Sequence, residues 1–398
     1  MTCEVAVINS RGLALAADSA VTLGEGKKIY LSAEKLFELT PALPVGILTY
    51  GMADLTGVPW ETIVAGYRRQ LGDQRHDTLA EYLDDFVAFI EGSRTMFPED
   101  QQRKGFARVA REMWDGLYAG RWKAELADHP RPDGKESYDV LRRLISEDHA
   151  RSERFPPLER VEPGFPDAVI AEYDDVLKEA EHDVFGPDEL PADIRHGLRT
   201  TLRLFLSRGS GFVQSGLVIA GMGEAEHFPG LVHCSTGPIV KGHLRLRPYE
   251  PVRITHGGQA TICPFAQTRI IETIIRGIDP YLLDGMPRFV SDCVTQATGR
   301  KADSEILKRF EARLEREIQD RYAQPFVTAV AAMPRRELAT IAEVLVNLTV
   351  FRAHSSVGEL ETVAGPIDVA LLSKGEGFVW VRRKQQSGVV GAVGRSEV

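Results

Sequence analysis

The 398-residue sequence predicts an α+β fold, with sheets that can stack and helices on the outer faces. Three observations point there. Strand-like runs arrive in groups: four before the first helical period, several between residues 212 and 254, and two after residue 366. Helical periods are grouped as well, and no stretch alternates strand and helix as a βαβ chain would. Neither an internal repeat nor a low-complexity tract breaks this order.

The first two strands are the apolar runs Cys3 to Ile8 and Leu13 to Ala17, joined through Asn9-Ser10-Arg11-Gly12 in a hairpin turn. Ser19 to Lys28, with two glycines, reads as an exposed turn, and Ala33 to Leu39 as a third strand that ends at Pro41 and Pro44. Val45 to Gly51 is a buried fourth. From Met52 the period moves toward 3.6, with Ile63, Tyr67 and Leu71 on one helix face; a second helix runs from Leu79 to Ile90 behind Asp77 or Thr78 as cap. Residues 97–208 are charged, helical in period and broken by prolines, and Trp114, Tyr118, Trp122, Leu202, Leu204 and Phe205 need a core of their own, so this is a helical insertion rather than a linker. Strands follow at 212–221, 230–234, 238–246 and 252–254. A turn at Gly257-Gly258 leads to a helix with Ile270, Ile271, Ile274, Ile275 and Ile278 inward. A narrow stripe of Ile306, Phe310, Leu314, Ile318 and Tyr322 marks a helix packed along one side, and another opens at Pro334. Strands at 367–372 and 377–381 precede a Gly/Val-rich tail.

With 43% hydrophobic and 26% charged residues the chain is globular in composition. A net charge of −9 and a pI near 5.7 argue against a general binder of nucleic acid or anionic membrane, since either needs a basic face. Cys3, Cys234, Cys263 and Cys293 form no Cys-x-x-Cys pair, so neither a disulfide framework nor a zinc site is indicated, and buried thiols in a reducing cytosol are expected. Histidines lack metal-ligand spacing, and His227 and His233 read as parts of a polar loop. Gly209-Ser210-Gly211 and Gly221-Met222-Gly223 lack the lysine of a phosphate loop and the downstream acid of a dinucleotide fingerprint. No metal or cofactor is expected. No run of about eighteen apolar residues and no signal-peptide pattern occurs, which points to the cytoplasm.

The N-terminal hairpin holds the chemistry. It returns Asp18 to the side of Thr2, placing a carboxylate opposite a hydroxyl residue that removal of Met1 would leave at the N-terminus. From that arrangement an N-terminal nucleophile could be built; the same residues also make an ordinary edge hairpin that begins with Thr.

Thr2, Ala16-Ala17-Asp18-Ser19, Thr22, Lys35 with Leu36-Phe37-Glu38-Leu39, and Gly51-Met52-Ala53-Asp54 resemble the N-terminal half of proteasome beta subunits and their bacterial ring-forming, Anbu-type relatives. Leu217 to Gly221 is similar to the family's middle strand and Gly365 to Val369 to its last strand pair. The resemblance implies a four-layer αββα sandwich of the N-terminal nucleophile hydrolase type, its core formed by 1–96, 209–281 and 333–390, with helical insertions at 97–208 and 282–332. It also implies a threonine peptidase in a ring or related homo-oligomer, acting on peptide or unfolded protein, with room for an ATPase or accessory partner. Thr2 would be the nucleophile, its freed α-amine the base, Lys35 the nearby cation and Asp18 the residue that orients Lys35. The backbone N–H of Tyr50, beside Gly51, matches the oxyanion donor; Val21, Leu48 and Met52 match pocket positions for an apolar side chain, and Thr22 pairs with peptide backbone.

Departures from the family pattern put turnover in question more than fold. The family's Gly-Ser-Gly turn reads Gly257-Gly258-Gln259 here, and its later Asp and Ser give way to Glu359, Glu361 and Val363. A noncatalytic proteasome-like scaffold and an N-terminal nucleophile amidase on a small amide therefore stand beside the peptidase.

Overall fold

A computed structural model describes residues 2–23, 28–30, 33–127, 134–209, 214–255, 259–355 and 363–384. Both sheet-rich parts of the chain are antiparallel and accompanied by helices, a mixed α+β architecture. The chain divides into two units: Met1–Leu48, Ala220–Gly230 and Arg253–Val398 form the first, and Thr49–Ile219 with Leu231–Val252 the second.

The first unit is built on a five-stranded antiparallel sheet in the order Ala260–Ala266, Cys3–Asn9, Gly12–Ala17, Asp368–Ser373, Gly377–Arg382. The N-terminal hairpin is thus interior to the sheet, not its edge. Ala260–Ala266, absent from the expected elements, supplies the outer partner, with Val5 opposite Pro264. Its proline speaks against a central strand but is compatible with the sheet edge it occupies. Every residue of Cys3–Asn9 and Gly12–Ala17 is buried, which is why both runs are apolar almost throughout. Strand alternation sends Cys3, Val5 and Val7 into a core with Leu338, Ala342, Leu345 and Val346 of the helix Arg335–Ser355. The same alternation turns Glu4, Ala6 and Ile8 to the opposite face.

The hairpin turn also closes a helix end. Asn9 Nδ2 donates to the carbonyls of Val330 and Met333, each at 3.0 Å, and Arg11 to that of Ala332 at 2.7 Å, satisfying acceptors left open where the helix Gln324–Ala332 stops. Elsewhere in the unit, Leu36–Thr40 pairs antiparallel with the strand Val45–Gly51, starting three residues later than the sequence suggests. The expected turn at 19–28 contains short paired strands, Val21–Leu23 and Lys28–Tyr30. The helix over the isoleucine stripe ends at Arg276, because Gly277 adopts φ +69°, leaving Ile278 outside; Asp279 then caps the helix Pro280–Thr298.

In the second unit, Thr78 caps the helix Leu79–Gly92 by accepting from the Glu81 N–H. Helices between Glu99 and Ser207 enclose their own core, in which Phe106, Trp114, Tyr118, Tyr173, Leu202 and Phe205 are buried; Trp122 packs at its margin and Leu204 is half-buried. The strands expected at 230–234 and 238–246 are instead one strand, Gly230–Val240, paired with His243–Pro248. A bulge between Thr236 and Ile239 accommodates Pro238, whose missing N–H suggested a break. The Gly257-Gly258 turn, Ser210 to Val213, Glu359, Glu361 and the Gly/Val-rich tail lie outside the described residues. Cys3 and Cys234 are buried as expected, whereas Cys263 is half-buried and Cys293 exposed. No described helix is long and apolar enough to cross a membrane.

Asn9→Ala should destabilise the first unit by about 1–3 kcal/mol, the cost of stranding buried carbonyls; urea unfolding of the variant beside the wild type measures it.

Candidate functional site

Thr2, Glu4, Asp18 and Lys35 converge in the first unit, and hairpin register is the reason. The ladder that sets Glu4 opposite Ala17 continues one step outward, where Asp18 N–H donates to the Cys3 carbonyl at 3.1 Å and Cys3 N–H returns to Asp18 Oδ1 at 3.0 Å. Asp18 Oδ2 accepts from the N–H groups of Ala20 at 3.1 Å and Ala364 at 3.2 Å. Lys35, directly ahead of Leu36–Thr40, places Nζ 2.5 Å from Asp18 Oδ1 and 3.4 Å from Glu4 Oε1. Residues two apart on a strand share a face. Thr2 Oγ1 accordingly donates to Glu4 Oε2 at 3.1 Å.

All four are withdrawn from water: Thr2 is 3% exposed, Glu4 0%, Asp18 1% and Lys35 5%. Two carboxylates face one ammonium, so full ionisation would leave a net negative charge in the core. Asp18 is compensated by three backbone N–H groups as well as Lys35, whereas Glu4 has the Thr2 hydroxyl and a longer approach from Lys35. Glu4 is therefore the less compensated of the two. Burial pushes its carboxyl up to about 8, Lys35 opposes the rise and Asp18 reinforces it. Burial also drives the Cys3 thiol well above its ordinary range, so it is not a thiolate at neutral pH.

A second ion pair fixes the neighbouring strand. Lys384 Nζ lies 3.1 Å from Asp368 Oδ2 and 3.2 Å from Ser19 Oγ, and Ser19 Oγ donates to the Pro366 carbonyl at 2.7 Å. Ser19 is thereby tied to the last strand pair, one residue beyond Asp18.

The remaining sequence-predicted site residues are distributed as follows. Leu48 is buried in the first unit. Val21 and Thr22 fall in a short strand, but their side chains lie outside the described residues. Tyr50, Gly51 and Met52 belong to the second unit. Gly51 has φ +87°, and a Cβ there would stand 2.5 Å from the Gln214 carbonyl, so only glycine fits. Met52 N–H donates to that carbonyl at 3.0 Å, and Ser215 Oγ donates to the Met52 carbonyl at 3.2 Å. The Tyr50 ring lies over Gly216, and its hydroxyl is 2.5 Å from His233 Nε2. His233 is a residue of the strand Gly230–Val240, stacked on Tyr249 with centroids 4.4 Å apart, and not part of a polar loop. Burial lowers its imidazole to about 4.

Sequence reasoning missed Glu4. Its signal was available, since a carboxylate inside an otherwise apolar run, two residues after Thr2, must share that residue's face. Among the described residues, no group of three or more His, Cys, Asp or Glu side chains is arranged to hold a metal ion.

No protein-family model and no curated protein matches the chain. Among solved structures, it is similar to a Gly-1 mutant of Anbu from Hyphomicrobium sp. strain MC1 at 13% identity and a TM-score of 0.34, covering 97% of this chain and 86% of that one. Anbu, the ancestral beta-subunit, from Yersinia bercovieri is similar at 11% identity and a TM-score of 0.32, covering 96% and 88% respectively.

His233 should stay neutral between pH 5 and 8, its ring resonances moving only as pH falls toward 4, in a histidine-selective NMR titration. The raised Glu4 carboxyl adds stability that is complete below the ordinary carboxylate range and is lost as pH rises through about 8. Glu4→Gln should flatten that decline, which lies between the ordinary glutamate pKa of 4.5 and about 8, in thermal unfolding midpoint. Gly216→Ala should cost about 1–3 kcal/mol by forcing a Cβ into the Tyr50 ring, and Tyr50→Ala in the same chain should recover most of it.

Proposed function

We propose that this chain is a proteasome-like threonine peptidase with a four-layer αββα core, in which cleavage of the Met1–Thr2 bond frees the Thr2 α-amine. The observation that carries the proposal is the convergence of Thr2, Asp18 and Lys35, separated by 33 positions in sequence, around one buried carboxylate and ammonium cluster. A threonine hydroxyl is a weak nucleophile, and an α-amine of ordinary pKa near 8 is partly neutral at pH 7 and can take its proton. Lys35 as a cation favours the neutral amine and the developing alkoxide, and Asp18 orients Lys35.

Attack by Thr2 Oγ on a peptide carbonyl forms the Oγ–C bond while its proton leaves. The tetrahedral oxyanion that results requires a backbone N–H donor. The proton then goes to the departing amine nitrogen as the C–N bond breaks, and water hydrolyses the threonyl ester. Val21 and Leu48 give the pocket an apolar preference, and Thr22 pairs with substrate backbone. The core comprises 1–96, 209–281 and 333–390, with 97–208 and 282–332 as helical insertions on the outer surface. A cytoplasmic homo-oligomer shields the site from folded proteins, and peptide or unfolded protein, delivered with or without an ATPase or accessory partner, is the substrate.

A noncatalytic scaffold is the second reading. It is favoured by the 3% exposure of Thr2 in the chain that still carries Met1, and by Val363 in place of a family polar residue. Hydrolysis of fluorogenic peptides with apolar side chains before the scissile bond separates the two. The peptidase reading expects turnover that falls at least about a thousandfold in Thr2→Ala, as removal of a nucleophile does. Absence of turnover from a chain shown to begin at Thr2 favours the scaffold, and cleavage confined to small amides favours an amidase.

A further inference from the structure

The mechanism above leaves one buried ionisable group unused. Glu4 is completely inaccessible, sits on the Thr2 face of the central hairpin, and contacts both the hydroxyl that would attack and the ammonium that would stabilise it. A purely structural residue at this place would be apolar, like Ala6 and Ile8 further along the same face. Burying a second carboxylate beside Asp18 is costly, and a perturbed carboxyl in direct contact with a hydroxyl nucleophile is the arrangement of a proton-transfer group.

Resting on the nucleophile assignment of Thr2, we propose that Glu4 is a catalytic residue that takes the Thr2 hydroxyl proton directly, in place of the α-amine. As the Thr2 Oγ–C bond forms, the Oγ–H bond breaks toward Glu4 Oε2, and the carbonyl π pair moves onto oxygen. Glu4 then passes the proton to the leaving nitrogen as the C–N bond breaks. In the second half, Glu4 accepts a proton from the attacking water and returns it to Thr2 Oγ as the ester opens. Each turnover leaves Glu4 as it began. Lys35, 3.4 Å from the other oxygen, holds charge on the carboxylate, and Asp18 keeps Lys35 in place. A carboxyl raised by burial is matched to proton transfer near neutrality, as an ordinary glutamate is not.

The test is the rate at which Thr2 is acylated by an apolar peptide β-lactone, followed by intact mass from pH 5 to 10 in wild type, Glu4→Gln and Glu4→Asp. Ring opening needs no leaving amine, so it reports the attack alone. Wild-type acylation should rise with pH through the Glu4 titration. Glu4→Gln should be slower by about a hundredfold or more, in line with the loss of a general base, and should lose that rising limb. Glu4→Asp, with its carboxylate drawn back, should keep the limb at a lower rate; it answers the question alone if the Gln variant does not fold. Acylation by either variant at the wild-type rate and with the wild-type pH profile would assign the proton to the α-amine and overturn the role of Glu4. A wild-type chain that is not acylated, or label that persists in Thr2→Ala, would instead remove Thr2 as nucleophile and the proton role with it.

Discussion

The contact on which the described site depends is the 2.5 Å ion pair between Lys35 and Asp18, buried with Glu4 against it. A lysine ammonium is kept in a nearly dry environment only where its charge is met at short range. That requirement reaches outward. Asp18 must be held by backbone donors from both its own hairpin and residue 364, and the hairpin must therefore lie inside the sheet, with strands on both sides. Removing either charge would leave the rest of the cluster with an imbalance of the kind that costs about 3–5 kcal/mol when a buried pair is broken.

The same constraint draws the packing of the first unit and its candidate site from one segment. Cys3, Val5 and Val7 anchor the first strand to the helix Arg335–Ser355, while the alternate positions 2 and 4 carry a hydroxyl and a carboxyl on the other face. A one-residue slip in register would exchange the two faces, exposing the helix-packed residues and moving Thr2 away from Glu4. The Asn9 and Arg11 bonds to the end of a later helix resist such a slip.

Much of this was legible in the residues. The hairpin and the α+β grouping follow from period and turn chemistry, which are local properties, whereas Lys35, read as part of the third strand, stands just ahead of it. The strand Ala260–Ala266 was not, because Pro264 argues against a ladder and only the edge position excuses it. The single strand through Pro238 was hidden for a related reason, a bulge that sequence patterns do not announce. Glu4 was visible as a residue but not as a participant: strand alternation gave its face, whereas its meeting with Lys35 depends on long-range packing. The strand that carries His233 was anticipated at 230–234, but its contacts with Tyr50 and Tyr249 depend on packing that no local pattern announces.

The claim that joins fold to function is that the chain works from Thr2, and it turns on one peptide bond. Intact-mass measurement of the purified full-length protein tests it most directly. The account predicts a chain lighter by one methionine residue and beginning at Thr2. A chain that retains Met1 in full would contradict it.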